Sequence, residues 1–167
     1  MRVRAALLAA LAASASLSAC GLKPMYAGGS DGAVVQGLAA VAVPPIPGRD
    51  GWLVRNALRD RLGNYSDDGG ERFRLDVRLD DQLEGLGLLT DDTIGRERRT
   101  LRARYQLVDN ATGEILLDAT AGSDAGIDVV SSEYATIAAE QTALENLARD
   151  VADRIVTQLA LALRQQG

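Results

Sequence analysis

Between residues 73 and 121 the chain alternates apolar and polar side chains three times over, and that period of two restricts the fold more than any other feature. Phe73, Leu75, Val77 and Leu79 are interleaved with Arg74, Asp76, Arg78 and Asp80. Leu101, Ala103, Tyr105 and Leu107 are interleaved with Arg102, Arg104 and Gln106, and Ile115, Leu117, Ala119 and Ala121 continue the pattern. Successive side chains of a strand point to opposite faces. Each segment therefore predicts a strand with one buried and one charged face, as in an antiparallel sheet open on one side.

Parity then constrains the pairing. The last two strands both turn odd-numbered residues inward, so paired positions sum to an even number. A three-residue loop within Asn110-Ala111-Thr112, with Gly113 left-handed, predicts Leu107 opposite Ile115 and Ala103 opposite Ala119. The preceding hairpin fails this test if Asp91-Asp92 is a two-residue turn, so a bulge or an odd-length loop must repair it, with Gly85 or Gly87 offering the place. The expectation is a long bent hairpin from about Arg72 to Val108, kinked near Gly85.

Helical periodicity flanks this block. Asp50 can cap a helix from Gly51 to about Leu62, with Val54, Leu58 and Leu62 on one stripe and Gly63 as the stop. Ser132 can cap a second helix reaching about Arg164, roughly 45–50 Å long. Its stripe runs through Tyr134, Ile137, Gln141, Leu144, Ala148, Val151, Ile155, Leu159 and Ala162. Leu38 to Val43 reads as a short strand stopped by Pro44-Pro45. The order β-α-β-β-β-α predicts an α+β two-layer sandwich, a mixed four-stranded sheet with two helices on one face.

The first 21 residues carry a different signal. A basic Met1-Arg2-Val3-Arg4 precedes an apolar stretch from Ala5 to Leu17, which is too short to span a bilayer but long enough for a secretion signal. It ends in Leu17-Ser18-Ala19-Cys20-Gly21, which resembles the bacterial lipobox. That resemblance implies cleavage before Cys20 and acylation of its thiol and new amine. The domain plan is a signal peptide at 1–19, a glycine-rich lipidated tether at 20–37 and a folded domain at 38–167. Acyl chains contribute about 0.8 kcal/mol per buried methylene, so several make a permanent anchor. In lipoproteins of this type an aspartate after the cysteine favours inner-membrane retention. Gly21 stands there, which points to the periplasmic face of the outer membrane.

Composition excludes several functions. Without Arg2 and Arg4 the chain keeps sixteen basic and twenty-three acidic residues, a net charge of −7, which argues against nucleic acid. There is no histidine and one cysteine. Ser-His-Asp triads, Cys-His pairs and histidine-containing metal sites are therefore ruled out. The reading is a protein that is not an enzyme and needs no cofactor or metal.

Three stretches together resemble the LptE family of lipopolysaccharide (LPS)-assembly lipoproteins, in its alphaproteobacterial form. They are Cys20-Gly21-Leu22-Lys23-Pro24-Met25-Tyr26, the segment from Leu101 to Asp109 followed by the Thr112-Gly113 turn, and Ser132-Glu133-Tyr134-Ala135 with Ala139-Glu140-Gln141 and Leu147-Ala148-Arg149-Asp150. The resemblance implies partnership with the outer-membrane β-barrel LptD, whose lumen the family plugs and whose assembly it assists. It also implies LPS binding. An auxiliary lipoprotein of a lipid-transporting ABC system is the alternative with the same anchor and size.

Arg96, Arg98, Arg99, Arg102 and Arg104 form the one basic concentration in this acidic chain. Arg96, Arg98, Arg102 and Arg104 share even parity and so one strand face. Guanidinium forks suit phosphates, which lipid A carries, so the family resemblance makes all five candidate LPS contacts. The competing reading is structural. Asp76 and Asp80 lie on the same face and can pair with Arg102 and Arg104, and a basic edge blocks strand aggregation. Leu86, Leu88, Leu89 and Ile94 crowd the hairpin tip. Either the strands continue beneath the helices there, or the tip docks on a barrel wall or on acyl chains.

Overall fold

The computed structural model describes residues 32–63, 72–86 and 95–165. The signal peptide, Cys20 and most of the tether lie outside these residues, as do Gly87, Leu88, Leu89, Asp91, Asp92 and Ile94 of the tip. Seven elements follow in order: α1 (Ala33–Ala39), β1 (Val41–Ala42), α2 (Gly48–Leu62), β2 (Phe73–Gly85), β3 (Arg96–Asp109), β4 (Ile115–Asp128) and α3 (Glu133–Gln165). The strands form one mixed sheet in the order β1-β2-β3-β4, with β1 parallel to β2 and the others antiparallel. The α+β architecture is the one the alternation predicts.

Strands β2 and β3 bury residues that parity turns inward, whereas on β4 Leu117, Ala119 and Ala121 are half-buried and Ile115 is 52% exposed. Phe73, Leu75, Leu101, Ala103, Tyr105 and Leu107 are each at most 3% exposed. They pack against Val54 and Leu58 of α2 and Leu147, Val151, Ile155 and Leu159 of α3. Each such side chain contributes about 1.5–3 kcal/mol on burial, so this layer contact is the main source of stability.

Pairing between β2 and β3 runs unbroken from Phe73↔Asp109 to Gly85↔Glu97. Leu86 N–H then donates to Arg96 O at 2.6 Å. No register shift occurs at Gly85. The link is odd in length, and that is how the parity conflict is resolved.

The second hairpin differs from its expected register by two residues, pairing Leu107 with Leu117 and Ala103 with Ala121. The cause is Asp109. Its carboxylate accepts the N–H groups of Ala111 (2.8 Å) and Thr112 (3.2 Å), while Gly113 at φ +73° donates to Asp109 O. This side-chain-stabilised turn occupies four residues and sets Val108 opposite Ile115. A bulge on β4 between the partners of Val108 and Leu107 then restores the even sum.

The described residues form three helices, where two were expected. The run expected as a strand from Leu38 to Val43 divides, with Leu38 in α1 and only Val41 and Ala42 extended. Residues 33–37, expected in the tether, also belong to α1. Seven residues cannot form a stable helix alone. Packing supplies the difference: Leu38 is 4% exposed, and Gly37 lies so close to Leu163 that a Cβ there would be 3.2 Å from its Cδ1.

Helix α2 starts three residues earlier than expected. Pro47, not Asp50, is the N-cap, and Asp50 sits in the first turn, where a carboxylate favours the helix dipole. Gly63 closes the helix in the left-handed region at φ +70°.

Helix α3 is continuous over 33 residues, about 50 Å. Ser132 O accepts the Ala135 and Thr136 N–H groups at its start. Three positions of the expected stripe are exposed, Tyr134 at 84%, Ile137 at 44% and Gln141, and Ala162 is half-buried. The first ten helical residues bury Thr136 alone, so the stripe meets the sheet only from Ala143 onward.

Candidate functional site: an open charged sheet face

Among the described residues, the helices lie on the odd-numbered face of the sheet or at its rim and none covers the even-numbered face of β2, β3 and β4. Register sets its rows. Asp76 lies opposite Gln106, which lies opposite Asp118. Arg78 lies opposite Arg104, which lies opposite Thr120. Asp80 faces Arg102, which faces Gly122, and Glu84 faces Arg98, which faces Gly126.

Four of the five predicted arginines do share this face, and Arg99 does not. Arg99 points to the helical side, where its guanidinium forks onto Asp81 at 2.6 and 2.9 Å and donates to Glu140 O of α3 at 3.1 Å. Both side chains are mostly buried, at 16% and 20% exposure. The hydrogen bond to Asp81 holds the Arg99 pKa above its usual value, against the opposing effect of burial. Arg99 fastens the β2–β3 hairpin to α3.

On the open face the remaining four divide again. Arg96 pairs with Asp128 at 3.1 Å, both exposed. Arg104 donates to Asp118 at 3.1 and 3.4 Å, and Gln106 adds a third bond to the same carboxylate at 2.8 Å. Those bonds, from Arg104 first and Gln106 second, hold the Asp118 carboxyl below the usual range. Arg98 and Arg102 make no hydrogen bond or ion pair among the described residues.

The expected pairing of Asp76 and Asp80 with Arg102 and Arg104 does not form. Asp76 is taken by Arg74 on its own strand at 2.9 and 3.1 Å, and Asp80 accepts the Gln82 amide at 3.0 and 3.3 Å.

Sequence reasoning missed Arg78, which sits directly across from Arg104 and has no partner among the described residues. Its even parity was visible. Its opposite number depended on the length of the tip loop. Two shallow concavities meet at this pair. One, of about 520 Å³, has Pro44, Pro45, Asp76 and Gln106 around Arg78 and Arg104. The other, of about 400 Å³, has Asp80, Arg102, Thr120 and Gly122 around the same two arginines. Such a surface offers forked donors and positive charge to an anion. Among the described residues no group of three histidines, cysteines or acids could hold a metal ion, and no helix is long and apolar enough to cross a membrane.

The fold has solved counterparts. A candidate lipoprotein from Caulobacter crescentus superposes with a TM-score of 0.68 at 24% identity, over 81% of this chain and 98% of that one. The minor lipoprotein from Acinetobacter baumannii gives 0.56 at 15% identity, over 72% and 88%. The rare lipoprotein B from Shewanella oneidensis gives 0.52 at 14%, over 75% and 96%. No curated protein matches the sequence. The profile of the LptE family, described as lipopolysaccharide-assembly, matches residues 38–159, from the end of α1 to the last turns of α3. The chain belongs to the LptE lipopolysaccharide-assembly family.

Proposed function

We propose that this protein is anchored through acylated Cys20 to the periplasmic face of the outer membrane, occupies the lumen of the LptD barrel and contacts LPS during its delivery to the surface. The role is non-catalytic. The observation that carries this reading is the sheet face that no described helix covers: in an acidic chain of this family, Arg78, Arg98 and Arg102 share it with no ion-pair partner among the described residues. A barrel lumen and a phosphorylated glycolipid both supply polar and anionic partners.

The anchor geometry fits. Helix α1 packs beside Leu163 near the end of α3, whereas β3 meets the first part of α3 where Arg99 donates to Glu140 O. The described domain therefore begins beside the last turns of α3, while the Arg99 contact lies toward its start. Eleven residues separate Cys20 from Gly32 and let the two stand about 40 Å apart at most.

The test is isolation of the acylated full chain in mild detergent, followed by measurement of barrel and LPS retention. Arg96→Glu with Arg98→Glu should weaken LPS retention while the circular dichroism spectrum is unchanged. Unaltered LPS retention by that variant would remove both residues from the contact. Recovery with inner-membrane transport components instead of LptD would favour the ABC-system reading.

A further inference from the structure

We infer that the free edge of β4 is a docking edge for a second copy of this chain, which pairs antiparallel to it about a two-fold axis at Gly122. The inference goes beyond the proposed function and does not depend on it.

Hydrogen-bond direction shows what the edge offers. Strand β4 is the last in the sheet, and just past its end Val129 N–H donates to Gly95 O. Inward and outward residues alternate along an antiparallel strand. Odd-numbered residues of β4 therefore bond to β3, and the even-numbered ones from Asp118 to Asp128 turn N–H and C=O away from it. Arg154 of α3 donates to Gly122 O, in keeping with that direction. A carbonyl has two lone pairs, so a strand N–H can join Arg154 there.

Sheet edges are commonly blunted by lysine, proline, bulges or shortness. Strand β4 has fourteen residues without lysine, arginine or proline, and its bulge sits at its start, at Leu116. Strand β2, which β1 covers only at Phe73 and Arg74, is charged instead, with Arg74, Asp76, Arg78, Asp80, Asp81 and Glu84. The unguarded edge is the one at β4.

The acids of β4 select the occupant and the register. They stand at Asp118, Asp124 and Asp128. Pairing about Gly122 sets Asp118 against Gly126, Asp124 against Thr120 and Asp128 against Leu116, so no acid meets another. Moving the centre to Ala121 sets Asp118 against Asp124, and moving it to Ser123 sets Asp118 against Asp128, both like-charge pairs that cost stability. A centre at Thr120 also separates the acids but leaves Ile127 unpaired. About Gly122, the helix-side residues match as well: Leu117 opposes Ile127, and Ala119 opposes Ala125. A hollow of about 540 Å³ between Gly126, Ile127, Ala139 and Thr142 gives the second copy's Leu117 room. The strand is thus self-complementary, as an isologous two-fold interface requires.

The test uses the acylated full chain in detergent, without the barrel. Thr120→Cys and Asp124→Cys chains are mixed and oxidised, and the wild-type chain reports any bridge through Cys20. The mixture should give a cross-linked dimer holding one chain of each kind. Either variant alone should give none, because equal positions then stand four residues apart, about 14 Å, beyond disulfide reach. Chains that merely share a micelle would show no such selectivity. Gly126→Asp, where a Cβ meets open space, places an acid against Asp118 twice per dimer. It should weaken the dimer about tenfold by sedimentation, while Gly126→Asn stays within about twofold and both keep the wild-type thermal transition. Amide exchange at Thr120, Gly122 and Asp124 should slow as wild-type concentration rises.

A monomer at every concentration, or a mixture that does not cross-link, would overturn the inference. Cross-linking of Thr120→Cys with itself would overturn the Gly122 axis. If those amides are protected only when the barrel is added, the edge takes a strand of the barrel, and the inference is wrong.

Discussion

Arg99 is the arginine whose removal separates a clamp from a ligand contact. An exposed ion pair contributes at most about 1 kcal/mol, whereas stripping one partner from a buried pair costs about 3–5 kcal/mol. The Arg99–Asp81 pair, at 16% and 20% exposure, lies between these limits, and Arg99 also satisfies the Glu140 carbonyl. We expect Arg99→Ala to lower the unfolding free energy by about 2–3 kcal/mol, or about 5–10 °C in Tm for a chain of this size. Arg96→Ala, which breaks a pair exposed at 65% and 75%, should stay within about 0.5 kcal/mol of wild type. The assay is equilibrium urea unfolding followed by far-ultraviolet circular dichroism. Trp52, at 62% exposure, would report poorly by fluorescence. A double-mutant cycle with Asp81→Ala should give a coupling of about 1–2 kcal/mol. If Arg99→Ala were as mild as Arg96→Ala, the fork would hold nothing, and Arg99 would return to the list of free donors.

Three further outcomes follow from the same packing. Tyr105 is 0% exposed and its hydroxyl has no partner among the described residues, so Tyr105→Phe should stabilise the domain by about 1 kcal/mol; a loss of that size by urea unfolding would reveal a bond that the account lacks. A Cβ on Gly51 would sit 2.5 Å from the Ile46 carbonyl oxygen, a backbone atom that cannot swing aside. Gly51→Ala should therefore cost about 1–3 kcal/mol despite the better helix former, and a stabilised variant would contradict the close seating of α2. Arg61 donates to both oxygens of Asp153, which holds that carboxyl below the usual range. The pair's contribution is thus present above the unfolded carboxyl value near 3.9 and lost as pH falls through the lower folded value. In Arg61→Ala, carbon-detected NMR should show Asp153 titrating nearer 3.9, and an unmoved titration would refute the assigned cause.

What was legible in the sequence was what is local. Period-two alternation located the three long strands and their inward faces, because side-chain direction in a strand depends on nothing distant. It also placed Arg96, Arg98, Arg102 and Arg104 on one face and left Arg99 out. The register of the second hairpin was missed by two residues because the Asp109 carboxylate builds a four-residue turn, a side-chain interaction that alternation does not encode. Helix α1 was missed because Leu38 and Gly37 are helical only against Leu163, which lies 125 residues further along. Tyr134 and Ile137 satisfy the helical period yet have no sheet to meet. The site was half legible. The even face could be read, but which β2 residue faced Arg104 hung on an odd-length link, so Arg78 was left out.

Purification of the acylated full chain from detergent-solubilised envelopes, with mass analysis of Cys20 and of its stoichiometric partner, tests the central claim most directly. The account predicts an acylated amino-terminal cysteine and LptD in a one-to-one complex that carries LPS. A water-soluble product with a free thiol, or a complex with inner-membrane transport components, would contradict it.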